Sequence, residues 1–565
     1  MWLVVILVLA SLLRLIFLDK IPTSVTGDEL TYILTAKSFL LTGKDIGGVI
    51  TPWQVLLFQS SPLSMPQAEL PYFLLMPFLA GGLSLFAVRL PFALLGIILV
   101  WLIYQVTKEL FDRKTALIAA FFVSISPWLI YINRTAYEMT PALVFYLLGL
   151  YVLLKTKGWK ILFAFPIFIL AFYSYIATKV IFFPFLLIAV AYVYLIKNNK
   201  KFGKQYLSLL ALSFSFVLIF IGLLQASGTS RLGDILLPNS PAVVEQVDNI
   251  RKLSIHSPLS SVFINKFVVY FQTLIIRFVN AFSASYLFLY GDNFFGMWKH
   301  GLMYVLDALF LFFGAAILLF KKKSLFYFLI GTILIGFIPQ IIHKGTDNFT
   351  PHITFIFPFI LMLTAYGAVS LADLFSKQQK LILTGIIFVY LLLMANFMQI
   401  YFYQYPIQGQ SDIAMRELSR YVALAQDGGQ KVVVYSKTSN DLLRKHIFYA
   451  NLYNKDTAVS LRSQLYAKEP YVFNVTFKEC SDTFDPAKVT DTIIVSRTCS
   501  DLFRNTNHLT IAQLTDGGGI YSIYNDKLCA GFVSSRYISG LQIADFALEK
   551  LSKKQLCEKF ITLLR

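Results

Sequence analysis

The fold is decided by residues 90–107, LPFALLGIILVWLIYQVT, and residues 115–132, TALIAAFFVSISPWLIYI. Both runs are uncharged, and each is long enough to cross a hydrocarbon layer of about 30 Å as a helix. The connecting residues 108–114, KELFDRK, hold Lys108, Arg113 and Lys114. Short basic segments between apolar runs are typical of cytoplasmic turns. This stretch therefore predicts two membrane-spanning helices joined by a turn in the cytoplasm.

The same pattern recurs along the first 402 residues. Apolar runs of comparable length lie near residues 1–18, 90–107, 115–132, 140–155, 160–177, 180–196, 205–225, 301–320, 324–342, 351–373 and 380–402. The chain is 57% hydrophobic and 14% charged, which is more apolar than the core of a water-soluble protein requires. We therefore predict a polytopic α-helical membrane protein with about eleven transmembrane helices, solvated by the lipid bilayer.

Basic segments between these runs predict the orientation of the chain. By the positive-inside rule, each segment lies in the cytoplasm. The segments are Lys108 to Lys114, Lys155 to Lys160, Lys197 to Lys204, Lys321 to Lys323 and Lys377 to Lys380. Because the number of crossings is odd, the N-terminus is expected in the cytoplasm and the C-terminus outside the plasma membrane; an endoplasmic reticulum location stays open. The segments also explain the net charge of +18 without a nucleic-acid partner.

Two of the external loops, residues 19–89 and 226–300, are much longer than a turn requires. Functional residues concentrate in loops of this kind. Within the first loop, Leu70 to Phe86 is apolar but interrupted by Pro77 and by two glycines. We interpret this segment as an interfacial or re-entrant helix, because a twelfth span would move the later basic segments outside.

The composition changes at residue 403, where dispersed charge replaces long apolar runs. Strand-like segments such as Lys431 to Tyr435 and Thr492 to Ser496, together with amphipathic helical stretches, predict a small extracytoplasmic α/β domain over residues 403–565. The chain's cysteines all fall in this domain, and outside the cytoplasm they are expected to form disulfides. Three full pairings and free thiols all stay open. The cysteines are Cys480, Cys499, Cys529 and Cys557.

A pair of carboxylates, Asp28 and Glu29, follows the first predicted helix closely. A carboxylate held near apolar surface can act as a general base, because burial and neighbouring charge tune its pKa. The same residues suit the N-terminus of a helix, where acidic side chains act as caps. Both interpretations stay open. Glu138, beyond the third predicted helix, adds another acidic group at the same membrane face.

Four basic residues are predicted at this face. An arginine in the outer half of a spanning helix needs an anionic partner, and basic groups at helix ends can surround a polar head group. Alternatively, they are anchors that reach into the interfacial water. These residues are Arg14, Arg89, Arg134 and Lys179.

Two further polar segments lie on predicted external turns. Tyr173 and Tyr175 precede Lys179, and the last external turn holds His343, Lys344 and His352. The two histidines are nine residues apart with a proline between them, so helical spacing does not bring them together. We therefore expect no metal site there.

Several of these motifs together resemble one enzyme family. The chain is similar over residues 1–402 to the dolichyl/undecaprenyl-phosphate-mannose protein mannosyltransferases, with their lipid A aminoarabinose transferase relatives. These are members of glycosyltransferase family 39 and have the GT-C fold. The motifs are Arg14, Pro22, Asp28-Glu29, Arg89-Leu90-Pro91, Ser126-Pro127, Asn133-Arg134, Glu138, Tyr173-Ser174-Tyr175, Lys179, Pro184 and Phe282 to Asp292.

The resemblance implies roles for individual residues. Asp28 would deprotonate the acceptor hydroxyl, with Glu29 supporting it and Glu138 as a second acidic group. The donor would be a polyprenyl-phosphate-linked sugar and the acceptor a protein or glycolipid; single displacement would invert the anomeric centre, with no cofactor and no metal. Donor-phosphate ligands would be Arg14, Arg89, Arg134 and Lys179, and possible substrate contacts Tyr173, Tyr175, His343, Lys344 and His352.

Two observations limit the resemblance. Family members commonly carry an arginine near the last external turn, where this chain has His343, Lys344 and His352. The Trp-Trp-Asp-Tyr-Gly signature of oligosaccharyltransferases is absent from the sequence. A membrane transporter or lipid flippase is the alternative function, although the sequence shows no internal repeat and its notable charges gather at one membrane face.

Overall fold

A computed structural model describes residues 1–61, 63, 67–196, 200–226, 241–255, 257–292, 295, 300–343, 348–408, 413–480, 490–502, 508–512, 519–533 and 540–564. Helices dominate the chain up to residue 408. They are α1 (Trp2–Leu15), α2 (Gly27–Thr42), α3 (Pro52–Leu56), α4 (Leu70–Leu75), α5 (Leu85–Leu110), α6 (Arg113–Ile125), α7 (Pro127–Asn133), α8 (Met139–Lys155), α9 (Ala164–Ser174), α10 (Phe182–Ala191), α11 (Gly203–Ala226), α12 (Pro241–Lys252), α13 (Ser260–Phe263), α14 (Lys266–Ala281), α15 (Val305–Lys321), α16 (Lys323–Gly336), α17 (Ile338–Ile342), α18 (Thr350–Ile353), α19 (Phe357–Leu374), α20 (Gln379–Gln399) and α21 (Tyr405–Gln408).

Each predicted apolar run contains a helix, but the helices differ in length. Within the described residues, the helices long and apolar enough to cross a membrane alone are Leu85–Leu110, Gly203–Ala226, Lys323–Ile342, Thr350–Leu374 and Gln379–Ile407. The pair α6 and α7, bent by 61° at Ser126-Pro127, passes the same test as one broken span. Proline lacks an N–H and restricts the residue before it, which explains the break. The number of eleven spans stays a prediction.

The first external loop folds into short helices. Leu70–Leu75 and the 3₁₀ turn Met76–Leu79 are together shorter than the roughly 20 residues of a typical span, and the interfacial or re-entrant helix stays a prediction. The buried Tyr72, Leu75 and Leu79 pack in the same hydrophobic core as α2.

The C-terminal domain has a seven-stranded mixed sheet flanked by helices. Its strand order is β2-β3-β1-β4-β6-β5-β7, in which β1 is parallel to β3 and β4, and the remaining pairs are antiparallel. The strands are β1 (Val432–Tyr435), β2 (Tyr471–Val472), β3 (Val475–Lys478), β4 (Thr492–Ser496), β5 (His508–Ala512), β6 (Gly519–Tyr524) and β7 (Ile561–Leu564). The helices are α22 (Ile413–Asp427), α23 (Ser439–Tyr449), α24 (Ala458–Gln464) and α25 (Lys553–Phe560).

All four cysteines are paired. Cys480 bonds to Cys499 and Cys529 to Cys557, which resolves the pairing that the sequence left open. The second disulfide lies in the main core of the domain, where both of its cysteines are fully buried.

The C-terminal domain docks on the first external loop, and the two share one hydrophobic core. Helix α23 packs against α2. The backbone N–H of Val25 donates to the Tyr449 hydroxyl at 2.9 Å, and that of Leu83 donates to Asn451 Oδ1 at 2.8 Å. The loop that carries Asp28 and Glu29 is therefore held between the membrane helices and the C-terminal domain.

Candidate active site

Glu29 is the acidic member of the capping box at the N-terminus of helix α2, in which Thr26 is the N-cap residue. Its Oε2 accepts from the Thr26 N–H at 2.9 Å while Thr26 Oγ1 accepts from the Glu29 N–H at 3.4 Å, a capping box. Glu29 Oε1 also accepts from the Ala136 N–H at 2.7 Å. Burial raises the pKa of this carboxyl, and the nearby Arg89 guanidinium opposes that effect. Glu29 therefore fastens α2 to the turn that precedes α8.

Asp28, the neighbouring residue, is exposed in the first turn of α2. Its Oδ1 accepts one hydrogen bond, from Gln67 Nε2 at 3.2 Å. The N-terminal end of a helix favours a negative charge at this position. The two interpretations of the acidic pair thus divide between its members: Glu29 caps the helix, and Asp28 is the carboxylate that a substrate can reach.

Glu138 and Asp28 share the same tyrosine neighbours. The Tyr32 hydroxyl accepts from the Ala68 N–H at 2.9 Å and is hydrogen-bonded to the Glu138 carboxylate. Burial, followed by Glu138, raises the pKa of Tyr32 well above its usual value, so it remains a neutral donor. Tyr175 lies within electrostatic range of both Asp28 and Glu138. The structure therefore gathers two predicted carboxylates and one predicted tyrosine in one cluster.

The three arginines predicted from the sequence are buried next to the segments that carry this cluster. Each is fully buried, so none is an anchor reaching into interfacial water. Arg134 donates to the carbonyl oxygens of Leu13, Ile16 and Ile21 at 3.0, 2.8 and 2.9 Å. These contacts fix the backbone between α1 and α2.

Arg89 and Arg14 act in the same way. Arg89 donates to the carbonyl oxygens of Leu18 and Ser24 at 3.2 and 3.0 Å. Arg14 donates to Asn133 Oδ1 at 2.9 Å and to the carbonyl oxygen of Ser124 at 3.0 Å. The contacts of Arg89 position the loop that carries Asp28, whereas those of Arg14 join α1 to α6 and α7. The role of the arginines as phosphate ligands stays a prediction.

Lys179 has a partner that the sequence did not suggest. Its Nζ lies 2.6 Å from Glu69 Oε1, and the two side chains are only 7% and 5% exposed. The ammonium also faces the rings of Phe58, Phe172 and Phe220 at 4.9, 5.2 and 5.3 Å. Burial raises the pKa of Glu69, and Lys179 opposes this. Lys179 is thus half of a buried ion pair in an aromatic enclosure.

Tyr173 lies beside this ion pair and not beside Asp28. Its ring stacks on Phe58 with centroids 5.3 Å apart, and its hydroxyl donates to the Leu56 carbonyl at 3.0 Å. The structure therefore separates Tyr173 from Tyr175, although only one residue lies between them. Tyr175 remains the tyrosine of this pair that lies near the carboxylates.

The last external turn brings its histidines together, contrary to the expectation from their spacing. The rings of His343 and His352 are 4.6 Å apart, because α17 and α18 on either side of the turn converge. Lys344 lies outside the described residues. In the part of the chain that the structure describes, no third histidine, cysteine or carboxylate joins them as a metal ligand.

Arg277 on α14 was missed in the sequence and lies at this turn. It is 6% exposed, and its charge reaches His343. Burial, followed by Arg277, lowers the pKa of His343, so that this ring is neutral near pH 7. The sequence feature that could have indicated this residue is its position, as an arginine in the apolar segment just before the motif Phe282 to Asp292. Arg277 thus brings a guanidinium to the last external turn.

Aromatic contacts connect the last turn to the carboxylate cluster. Asp292 Oδ2 accepts from the Thr350 N–H at 2.8 Å and from its hydroxyl at 2.9 Å, which joins the long loop to this turn. The Phe295 ring contacts Phe349 on one side, at 5.0 Å, and Tyr137 on the other, at 5.5 Å. Tyr137 in turn lies within electrostatic range of Asp28 and Glu138. One face of the protein thus carries carboxylates at one end and an arginine with two histidines at the other.

Comparisons with known proteins bear on the family and the fold of the chain. Residues 70–222 match the family model of dolichyl-phosphate-mannose-protein mannosyltransferases. A search of curated proteins finds no match. Among solved structures, the chain resembles apo ArnT from Cupriavidus metallidurans, with 11% identity and a TM-score of 0.50 over 93% of this chain and 97% of that one.

Two further structures are similar at lower scores. ArnT bound to undecaprenyl phosphate matches with 11% identity over 93% of this chain and 98% of that one, with a TM-score of 0.49. The apo oligosaccharyltransferase of Archaeoglobus fulgidus matches with 13% identity and a TM-score of 0.44, and the alignment covers 79% of this chain but only 63% of that one. The resemblance to the mannosyltransferase family is confirmed, and the chain has the fold of the GT-C glycosyltransferases.

Proposed function

We propose that this protein is an inverting glycosyltransferase that moves a sugar from a polyprenyl-phosphate donor to a hydroxyl of a protein or glycolipid acceptor. The observation that carries the proposal is the exposed Asp28 on the first turn of α2, which shares the neighbours Tyr32 and Tyr175 with Glu138 and follows a loop that buried arginines fix in place. The family match over residues 70–222 supports the same conclusion. The transferred sugar is mannose or another hexose or pentose.

In the proposed reaction, the general base and the leaving phosphate lie on opposite sides of the anomeric carbon. Asp28 takes the proton of the acceptor hydroxyl as its oxygen attacks that carbon, and the bond to the donor phosphate oxygen breaks. Positive charge develops on the sugar ring in an oxocarbenium-like transition state, which Asp28 and Glu138 stabilise from the acceptor side. A single displacement inverts the anomeric centre and leaves the polyprenyl phosphate.

The donor phosphate needs cationic partners in the site. Arg14, Arg89 and Arg134 donate to protein oxygens, which makes them supports of the site. Arg277 also donates to a carbonyl, that of Ile341 at 3.5 Å, but it lies with His343 and His352 at the far end of the aromatic contacts from Asp28, and we assign the phosphate to it on this position. ArnT, which has the same fold, has been crystallised with undecaprenyl phosphate, and we extend this class of ligand to the present chain. The reaction needs no cofactor.

In the proposed orientation in the plasma membrane, the C-terminal domain lies on the extracytoplasmic side and the N-terminus lies in the cytoplasm. Both disulfides support it, because such bonds persist in oxidising compartments and are rare in the cytosol. The basic segments between the apolar runs support it independently. The acceptor would therefore meet the enzyme at the extracytoplasmic face.

Sugar transfer from radiolabelled undecaprenyl-phosphate-mannose, and from a panel of other lipid-linked sugars, tests the proposal. Membranes that contain wild-type protein are compared with Asp28→Asn and with the matched control Asp456→Asn, an exposed carboxylate on the C-terminal domain. We expect transfer by wild type and by the control, and a loss of at least a hundredfold with Asp28→Asn. Absence of transfer from every donor would instead favour a transporter or flippase.

A further inference from the structure

Helix α23 of the C-terminal domain brings an arginine to the carboxylate cluster. Arg444 Nη2 donates to Thr31 Oγ1 at 2.6 Å, and Thr31 lies one helical turn after Asp28 on the same face of α2. The Thr31 hydroxyl donates in turn to the Gly27 carbonyl at 3.0 Å, which leaves its oxygen as a fixed acceptor. Asp441 on the same helix, Tyr72 and Asp28 all lie within electrostatic range of the Arg444 guanidinium.

Arg444 differs from its neighbours in the number of donors that remain available. A guanidinium has five N–H groups. Among the described residues, Arg444 makes one hydrogen bond, whereas Arg416 donates to Glu549 twice and also to the carbonyl oxygens of Thr23 and Phe546. Arg462 donates through Nη2 alone, to Ser38, Thr42 and the Asp45 carbonyl of the first loop. Arg416 thus uses all three of its nitrogens for docking, whereas Arg444 keeps most of its donors.

Gln67 and Tyr72 lie between Arg444 and Asp28 and supply further polar groups to a ligand at this position. Gln67 donates to Asp28 Oδ1 and accepts from the Tyr72 hydroxyl at 3.3 Å, so the amide is oriented between the two. A partly buried guanidinium with unused donors favours an anion, and a phosphate or carboxylate can accept two of its N–H groups at once. The position next to Asp28 is where the acceptor hydroxyl must lie in the proposed reaction.

We propose that Arg444 binds an anionic group, a phosphate or carboxylate, of the acceptor, next to the hydroxyl that Asp28 deprotonates. This inference rests on the proposed function. The acceptor is the better occupant than the donor because Arg444 comes from the extracytoplasmic domain, whereas the donor's lipid enters from the membrane helices. The C-terminal domain then contributes a specificity-determining residue to the active site, in addition to docking on the first loop.

Arginine-selective labelling tests the inference without any need for turnover. The full-length protein in nanodiscs is treated with p-hydroxyphenylglyoxal, and modified peptides are quantified by mass spectrometry. We expect rapid labelling of Arg444 and at least tenfold slower labelling of Arg416, whose three guanidinium nitrogens all donate to protein oxygens. Glycerol 3-phosphate should protect Arg444, whereas glycerol should not.

Two labelling results would overturn the inference. Equal protection by glycerol and glycerol 3-phosphate, or no protection by either, would show that Arg444 does not select an anion. Protection by undecaprenyl phosphate in place of glycerol 3-phosphate would assign the residue to the donor. Because none of these readouts requires sugar transfer, failure of this inference is distinguishable from failure of the proposed function.

Matched variants separate ligand binding from domain docking. Arg444→Gln and Arg462→Gln each remove an arginine that joins the C-terminal domain to a threonine of α2. In calorimetric titration, we expect Arg444→Gln to weaken glycerol 3-phosphate binding at least tenfold, Arg444→Lys to weaken it less, and Arg462→Gln to leave it unchanged. Equal weakening by Arg444→Gln and Arg462→Gln would show that Arg444 serves only to dock the domain.

Discussion

Glu29 accepts a hydrogen bond from the backbone N–H of Ala136 at 2.7 Å, and this contact joins the two segments that carry the candidate catalytic carboxylates. Asp28 precedes Glu29 on α2, and Glu138 follows Ala136 before α8. A residue that the sequence suggested as a helper in catalysis thus sets the spacing between the two groups of the site. We therefore expect Glu29 to affect sugar transfer indirectly, through the positions of Asp28 and Glu138.

Removal of the Glu29 carboxylate should destabilise the protein. Glu29→Ala leaves the Thr26 and Ala136 N–H groups without their acceptor, and each unsatisfied buried donor costs about 1–3 kcal/mol. Thermal unfolding in detergent should show a lower Tm together with reduced transfer. Glu109→Ala, which removes a carboxylate that pairs with the exposed Lys155 at 3.0 Å, is the control. A Tm equal to that of wild type would contradict the structural role of Glu29.

The acidic pair shows how far the sequence could predict the site. The position and type of the carboxylates were evident, but the division of their roles was not, because it depends on where Thr26 and Ala136 lie in space. The sequence indicated the arginines by their residue type, yet most of their acceptors are backbone carbonyls, which carry no sequence signal.

Partners distant in the chain were hidden for a related reason. Glu69 and Lys179 are separated by 110 residues, and Arg277 reaches the last external turn only because α14 folds back against α17. The two histidines of that turn were judged by helical spacing, which does not apply to two short helices that converge. Hydropathy and charge predicted the architecture well because they depend on local composition, whereas the site depends on long-range contacts.

The structure predicts different consequences for Arg277 and Arg14. Arg277→Gln removes the guanidinium at the histidine turn and should weaken donor binding at least tenfold, since phosphate contacts of this type contribute about 1.5–3 kcal/mol. Arg14→Gln should lower the Tm while leaving the KM for the donor unchanged, because Arg14 donates to Asn133 and to backbone carbonyls. Donor-dependent initial rates and thermal unfolding of both variants check this. An increased donor KM with Arg14→Gln alone would restore the phosphate role predicted from the sequence.

His446 should make the stability of the C-terminal domain depend on pH. Burial lowers the pKa of this ring to about 4, and its Nδ1 lies 2.9 Å from Ser419 Oγ. The unfolded chain binds the proton at about pH 6.5, before the folded protein does, so stability is full above that pH and falls as the pH drops towards 4. The loss is about 3 kcal/mol at the acid end of this window. Unfolding of wild type and His446→Asn between these pH values should show a steeper decline for wild type; parallel curves would contradict the prediction.

The Lys179–Glu69 ion pair offers the sharpest test of the donor-phosphate assignment. Lys179→Met leaves Glu69 buried without its cation, and breaking such a pair costs about 3–5 kcal/mol. Glu69→Gln combined with Lys179→Met should recover most of this loss, because two neutral groups then fill the aromatic enclosure of Phe58, Phe172 and Phe220. Thermal unfolding of both single variants and the double variant gives the coupling free energy. If Lys179 is structural, the stable double variant also regains transfer. If it is equally stable but transfers sugar only with a raised KM for the donor, Lys179 leaves Glu69 to bind the phosphate when the donor arrives.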